Sequence, residues 1–122
     1  MLKIIISGCN GHMGRVVESL CAADPETQVV AGFDVLGPSE HDFPVYTSPV
    51  QFSGRADVVI DFSSPAALEG LLSFAHDSGT PLVLATTGYT PEQVAQIGAA
   101  ALDTPIFRSA NMSLGINVLL EL

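Results

Sequence analysis

Short apolar segments alternate with helical patterns along most of this chain. Five segments are rich in Val, Ile and Leu and are apolar on both faces, as strands are when helices cover both sides of a parallel sheet. They are Leu2–Ser7, Gln28–Asp34, Asp57–Phe62, Pro81–Thr86 and Pro105–Ser109. Their alternation with helices predicts an α/β fold, a doubly wound parallel sheet with helices on both faces.

Three segments between these strands have the spacing of helices, at Gly11–Ala23, Pro65–Asp77 and Pro91–Ala101. Ser64 and Thr90 precede the second and third helices and are predicted to be their N-caps, each followed by proline at the first helical position. One face of the first helix carries four apolar residues: Met13, Val16, Val17 and Leu20.

Two parts of the chain depart from this alternation. Residues 35–54 contain three prolines and two glycines, which predicts an irregular connection with a short strand near Val45–Thr47. Residues 113–122 begin a further helical pattern and stop within an apolar run, with no helix stop signal. We expect residues 1–122 to form one domain.

The segment ISGCNGHMGR follows the first strand and carries three evenly spaced glycines. In such a turn, Gly8 would let the chain turn tightly off the strand. Gly11 would let a pyrophosphate approach the amides at the helix N-terminus, and Gly14 would let the helix pack closely. A glycine turn alone is a weak signal, because many similar turns bind nothing.

Asp34 strengthens the interpretation of this turn as a Rossmann-like cofactor site. It lies 20 residues after Gly14 and closes the second strand, where a carboxylate can bind both hydroxyls of an adenosine ribose. The alternative is a solvated or capping aspartate at a strand end. Val35, Leu36 and Gly37 follow it, so no adjacent cation would neutralise a 2′-phosphate. We therefore expect NADH to be preferred, with NADPH possible.

Composition argues against several classes of function. With 13 acidic and 4 basic side chains the formal net charge is -9, which disfavours nucleic-acid binding. No apolar run reaches the length of a membrane span, and the N-terminus has no signal-peptide pattern. Cys9 and Cys21 have neither metal-binding nor redox spacing, so we expect reduced thiols, no metal site and a cytoplasmic location.

Four motifs, GCNGHMGR, DFSSP, TTGY and SANMSLGINV, resemble in order and spacing the N-terminal half of 4-hydroxy-tetrahydrodipicolinate reductase, or dihydrodipicolinate reductase. The resemblance covers the whole chain, and its last motif is the most specific. It implies an NAD(P)H-dependent oxidoreductase of lysine and diaminopimelate biosynthesis. It also implies three cofactor-binding loops beside Asp34. Their residues are Gly8, Cys9, Asn10, Gly11, His12 and Met13; Ala85, Thr86 and Thr87; and Ser109, Ala110, Asn111 and Met112.

The family also has a second, tetramer-forming domain that supplies paired histidines, a lysine and a Ser-Gly-Thr segment to the substrate. None of these is present here, and His12, His41 and His76 do not match them. The resemblance therefore implies that residues 1–122 form a dinucleotide-binding domain, with 113–122 starting a helix that crosses toward the missing domain. We therefore expect a fragment with no catalytic residues, inactive alone, from an enzyme that is a homotetramer when intact. The alternatives are a nucleotide- or CoA-binding regulatory module with the same architecture, and a scaffold with a vestigial loop.

Overall fold

The computed structural model describes residues 1–108 of the chain. Six parallel strands form a single sheet in the order β3-β2-β1-β4-β5-β6. The strands are β1 (Leu2–Ser7), β2 (Thr27–Phe33), β3 (Val45–Tyr46), β4 (Val58–Asp61), β5 (Leu82–Leu84) and β6 (Ile106–Arg108). The helices are α1 (His12–Ala23), α2 (Leu68–Ser78) and α3 (Pro91–Ala100), with 3-10 turns at Pro49–Gln51 and Pro65–Ala67.

Two apolar layers cover the two faces of this sheet. Side chains alternate along β1, so Ile5 joins one layer while Ile4 and Ile6 join the other. The first layer takes Leu68, Leu71 and Ala75 from α2 and Ile97 from α3, whereas the second takes Val17 and Cys21 from α1. Helices therefore pack on both faces, and the predicted doubly wound α/β fold is confirmed.

The strand order reverses direction between β1 and β4. Chain order runs outward from β1 through β2 to β3, and then returns to β4 on the other side of β1. In open parallel sheets, ligands bind in the crevice outside the carboxyl ends of the strands at such a point. The turns after β1 and β4 therefore form the expected ligand crevice.

Every predicted strand is present within one or two residues, including the short strand in the irregular connection. The second helix differs from its prediction. Residues Pro65–Ala67 form a 3-10 turn, and α2 begins at Leu68. Ser64 is the N-cap residue of that turn, with Pro65 following it as predicted, but its side chain makes no cap hydrogen bond.

Helix α1 is rotated relative to the predicted apolar face. Its buried residues are Gly14, Val17 and Cys21, while Leu20 is 48% exposed. Gly14 packs against the turn that follows β1, where only a glycine fits. The predicted helix at 113–122 lies outside the described residues. Within residues 1–108, no helix is both long and apolar enough to cross a membrane.

Candidate functional site

The glycine turn after β1 has three geometrically different glycines. Gly8 has a φ of +83°, and a Cβ there would lie 2.9 Å from backbone atoms of Phe62 and Ser63. A Cβ on Gly14 would lie 2.4 Å from the carbonyl oxygen of Gly8. Both positions therefore require glycine for the fold itself.

Gly11 has no such structural requirement. Its φ of -76° and ψ of 168° suit any residue. Among residues 1–108, a Cβ at this position would meet only the Gly8 carbonyl oxygen, at 3.4 Å. The space beside Gly11 is thus open, and the residue itself is exposed. A glycine here keeps clear a path to the N-terminus of α1, as a bound phosphate group would need.

The N-terminus of α1 carries no capping side chain. Gly11 is the N-cap, and its own N–H donates to the Gly8 carbonyl at 3.1 Å. The next N–H groups, those of His12, Met13 and Gly14, lie in a first turn that has no intrahelical acceptors. Since no acidic residue occupies that turn, these amides and the helix dipole favour an external anion.

Asp34 lies directly after β2 and contacts the glycine turn. One carboxylate oxygen accepts the N–H of Asn10 at 3.0 Å, and the other accepts the N–H of Leu36 at 3.0 Å. Each oxygen keeps a further lone pair, so the carboxylate can also accept two ribose hydroxyls. Asp34 therefore accepts hydrogen bonds from nearby backbone N–H groups, as expected for a capping aspartate. Its carboxylate also faces the glycine turn, as a ribose-binding group would.

Asn10 is tied to the segment that follows Asp34. Its side-chain N–H₂ donates to the Gly37 carbonyl at 2.8 Å, and its Oδ1 accepts from His41 Nε2 at 2.7 Å. Arg15 donates to the Asn10 carbonyl at 3.3 Å and to Ser39 Oγ at 3.1 Å. The Arg15 guanidinium therefore lies near the segment that follows Asp34, although no basic residue is next to Asp34 in the sequence.

A buried carboxylate lies at the neighbouring strand ends. Asp61, the last residue of β4, is fully buried and accepts hydrogen bonds from the Ser63 N–H at 3.0 Å and Thr86 Oγ1 at 2.9 Å. Tyr89 lies next to it, and its hydroxyl has no hydrogen-bond partner among residues 1–108. Burial, followed by the Asp61 charge, raises the pKa of Tyr89 to about 12, so its hydroxyl stays protonated at neutral pH.

The family model and the curated relatives agree on one family. The family model described as "Dihydrodipicolinate reductase, N-terminus" matches residues 2–112. A 4-hydroxy-tetrahydrodipicolinate reductase from Caldanaerobacter subterraneus subsp. tengcongensis is 48% identical over 122 residues, which are 100% of this chain and 48% of that protein. The chain belongs to the dihydrodipicolinate reductase family. It spans about half the length of the curated relatives it matches.

Solved structures support the fold of this family. A dipicolinate-bound dihydrodipicolinate reductase from Paenisporosarcina sp. TG-14 has a TM-score of 0.66 and 22% identity, over 83% of this chain and 43% of that one. An NAD-binding protein from Listeria innocua has a TM-score of 0.71 and 21% identity, over 90% of this chain and 35% of that one. At these identities the similarity establishes the architecture alone.

Two of the three loops that the dihydrodipicolinate reductase resemblance implies follow strands whose carboxyl ends lie at the same edge of the sheet, with β4 between them. The first runs from Gly8 to Met13, and the second, Ala85 to Thr87, follows β5. Thr87 is exposed, but Thr86 is buried with its hydroxyl directed to Asp61. The third loop, Ser109, Ala110, Asn111 and Met112, lies outside the described residues.

Cys9 is the member of the first loop least suited to contact a ligand through its side chain. It is fully buried in the layer beneath α1, and a Cβ on Gly32 would lie 2.6 Å from its sulfur. Burial, followed by the Asp34 charge, raises the pKa of the Cys9 thiol to about 11. Cys9 can therefore serve a ligand only through its backbone, and at neutral pH its thiol is protonated and unreactive.

Sequence reasoning missed two residues that support this loop through side chains. His41 binds Asn10, and Glu18 binds His41 at 2.6 Å. No local pattern could identify them, because 31 residues separate His41 from Asn10. Among residues 1–108, no group of three or more His, Cys, Asp or Glu residues is arranged to hold a metal ion.

Proposed function

We propose that this chain is the NAD(P)H-binding domain of a reductase that converts 4-hydroxy-tetrahydrodipicolinate to tetrahydrodipicolinate in lysine and diaminopimelate biosynthesis. Membership of the dihydrodipicolinate reductase family supports the reaction class. The observation that carries cofactor binding is the uncapped N-terminus of α1 beside the open space at Gly11, with the Asp34 carboxylate facing the same turn.

The residues present fit a dinucleotide. The amides of the first turn of α1 would bind its pyrophosphate, and Asp34 would accept the hydroxyls of its adenosine ribose. Thr87 is exposed after β5 and would lie beside the nicotinamide half of the cofactor. The hydrogen bond from Thr86 to Asp61 would keep that loop in place. When bound, the nicotinamide supplies the hydride that a reductase transfers. This domain holds and orients the cofactor.

The finer cofactor assignment is NADH in preference to NADPH. A 2′-phosphate would be placed against the Asp34 carboxylate, which already lies in a strongly acidic chain. Arg15 reduces this repulsion, because its guanidinium is held near Ser39 at 3.1 Å. We therefore propose a moderate preference for NADH, with NADPH still bound.

The remaining assignments concern the intact protein. We propose that it is a cytoplasmic homotetramer assembled through a second domain, with a small-molecule cofactor and substrate as its ligands. Nucleic acid is not a proposed partner, since the chain has 4 basic side chains against 13 acidic ones.

Isothermal titration calorimetry of this chain with NADH, NADPH and CoA tests the proposal. NADH should bind measurably, although more weakly than to an enzyme whose second domain closes over the nicotinamide. CoA should bind more weakly than NADH. Tighter binding of CoA would favour the regulatory-module alternative, and no saturation by any of the three at millimolar concentration would favour a vestigial loop.

A further inference from the structure

The two halves of the proposed cofactor site lie on strands that are not neighbours in the sheet. The glycine turn follows β1, residues 85–88 follow β5, and β4 lies between these two strands. We call residues 85–88 the β5 loop. Asp61 is the last residue of β4 and is fully buried. It therefore lies where a side chain can fix the β5 loop relative to the glycine turn.

The two carboxylate oxygens of Asp61 bind segments on opposite sides. Oδ2 accepts the hydroxyl of Thr86, in the β5 loop, at 2.9 Å. Oδ1 accepts the N–H of Ser63 at 3.0 Å and also the Ser63 hydroxyl. Burial of a carboxylate is unfavourable unless hydrogen bonds compensate for the lost water, and these contacts do so. Asp61 is therefore a bridge between Thr86 and Ser63.

Ser63 lies directly against the glycine turn. Its backbone N and Cα would each lie 2.9 Å from a Cβ on Gly8, and the adjacent Phe62 N–H donates to the Ser7 carbonyl at 2.9 Å. The segment after β4 thus packs against the turn with no room for a side chain between them. Through Ser63, one oxygen of Asp61 is fixed relative to the proposed pyrophosphate site.

The β5 loop depends on the other oxygen of Asp61. The Ala85 N–H continues the sheet by donating to the Asp61 carbonyl at 2.9 Å. Within residues 1–108, no backbone–backbone hydrogen bond involves Thr86, Thr87 or Gly88, so the Thr86 hydroxyl holds this part of the loop. Thr86 is buried, whereas Thr87 beside it is exposed. The hydrogen bond from Thr86 to Asp61 therefore determines where Thr87 is presented.

We propose that Asp61 is a positioning residue, which holds the β5 loop at a fixed place relative to the glycine turn so that the nicotinamide half of the cofactor meets Thr87. Because Asp61 is fully buried, it acts through Thr86 and Ser63 and not by contact with the ligand. The inference rests on the proposed binding of NADH in this crevice. Loss of the hydrogen bond between Asp61 and Thr86 should then weaken binding of the nicotinamide half specifically.

Calorimetric titrations with NADH and with ADP-ribose, which lacks the nicotinamide, test this role. The unmutated chain should bind NADH more tightly than ADP-ribose. Thr86→Val removes the hydroxyl and keeps the shape of the side chain. It should lower the affinity for NADH about five-fold, the equivalent of one hydrogen bond, and change the affinity for ADP-ribose by less than about two-fold. Thr86→Ser keeps the hydroxyl and should recover most of the loss.

Thr27→Val is the matched control. Thr27 is a buried threonine at the start of β2, and its hydroxyl donates to the Cys21 carbonyl at 2.8 Å. The substitution removes one buried hydroxyl at the opposite end of the strands, so both ligands should bind as they do to the unmutated chain. Equal losses of NADH and ADP-ribose affinity in Thr86→Val would indicate a merely structural role and overturn the inference.

A double-mutant cycle assigns the effect to Asp61. Asp61→Ala should reduce the ratio of NADH affinity to ADP-ribose affinity at least as much as Thr86→Val does. The double variant should show no further loss in that ratio beyond Asp61→Ala alone, because both substitutions remove the same hydrogen bond. Additive losses from the two substitutions would mean that Thr86 acts independently of Asp61, which would overturn the inference.

Backbone ¹⁵N relaxation without cofactor follows the order of the β5 loop itself. In the unmutated chain the amides of Thr87 and Gly88 should be as ordered as those of β5, and they should become more mobile in Thr86→Val. A mobile loop in the unmutated chain would overturn the inference without any variant. If the unmutated chain binds neither ligand, the proposed function and this inference fail together, whereas equal affinities for NADH and ADP-ribose overturn the inference alone.

Discussion

At the scale of single residues, the three glycines of the turn divide into two structural positions and one open position. Gly8 needs glycine for its φ of +83°, and Gly14 needs it because a Cβ would lie 2.4 Å from a carbonyl oxygen. Gly11 needs it for neither reason. The backbone conformation and neighbours of position 11 therefore do not require glycine, whereas the proposed pyrophosphate site would.

This difference predicts opposite effects for substitutions in the same turn. Gly11→Val should leave the melting temperature almost unchanged and abolish NADH binding, because its side chain would fill the pyrophosphate space. Gly14→Ala should destabilise the fold by about 1–3 kcal/mol, the cost of overpacking. Thermal melting and calorimetry measure the two effects. Gly98→Val is the control, since nothing lies within 4 Å of a Cβ there. Normal NADH binding by Gly11→Val would exclude this turn as the phosphate site.

Asp34 and Arg15 should have opposite effects on cofactor preference. We expect NADH to bind better than NADPH by about 1–3 kcal/mol, the scale of a hydrogen bond to a charged group. Asp34→Ala should weaken NADH binding and narrow that gap, because it removes both the ribose contact and the repulsion of the 2′-phosphate. Arg15→Ala should increase the difference in affinity between NADH and NADPH, because it removes the nearby cation. Parallel calorimetric titrations measure both, and equal affinities in the unmutated chain would refute the assignment to Asp34.

At the scale of helices, the N-termini of α1, α2 and α3 differ in how they are capped. In α3, Thr90 Oγ1 accepts the Gln93 N–H at 3.1 Å, and the Gln93 side chain accepts the Thr90 N–H at 3.0 Å. A 3-10 turn leads into α2, and α1 has no side-chain cap. The one described helix that begins at the glycine turn thus has its first amides left available, which is consistent with an anion as its cap.

The caps predict a measurable contrast in stability. Thr90→Ala should lower the free energy of unfolding by about 0.5–2 kcal/mol, as expected for loss of an N-cap. Ser64→Ala should change it by less than about 0.5 kcal/mol, because the Ser64 side chain makes no cap hydrogen bond. Urea denaturation followed by circular dichroism compares the two. Equal losses would mean that Ser64 stabilises its turn after all.

At the scale of the whole molecule, the described residues fit the proposed cofactor better than the proposed dicarboxylate substrate. Arg15 donates hydrogen bonds to Asn10 and Ser39 beside the glycine turn, and the Arg108 guanidinium carbon lies 5.5 Å from the centre of the Tyr89 ring. The buried Tyr89 hydroxyl, with its raised pKa, is not a solvent-accessible acid. The paired histidines and the lysine that the family resemblance implies for substrate binding do not match any residue of this sequence.

The chain should consequently show no reductase turnover, even when saturated with NADH. Hydride transfer needs the substrate carbon held at about 3–3.5 Å from the nicotinamide, and residues 1–108 offer no cationic group to hold it there. Oxidation of NADH is followed by its absorbance with freshly generated substrate, and a full-length relative is the positive control. Turnover comparable to that control would mean that the catalytic residues lie within this chain.

The sequence by itself determined the features that depend on local pattern. The strands, the different requirements at Gly8 and Gly14, and the position of Asp34 at the end of β2 all follow from spacing along the chain. Each is a property of a few consecutive residues, so periodicity and steric rules suffice to predict it.

The tertiary structure alone decided the contacts between distant segments. Packing of α1 on the sheet decided which face of the helix is buried, so that Cys21 is buried and Leu20 is not. The burial of His41 between Asn10 and Glu18 depends on how residues 35–54 fold back over the glycine turn. Such contacts form because parallel strands bring their carboxyl ends to one edge of the sheet, and no periodicity in the chain encodes which side chains then meet.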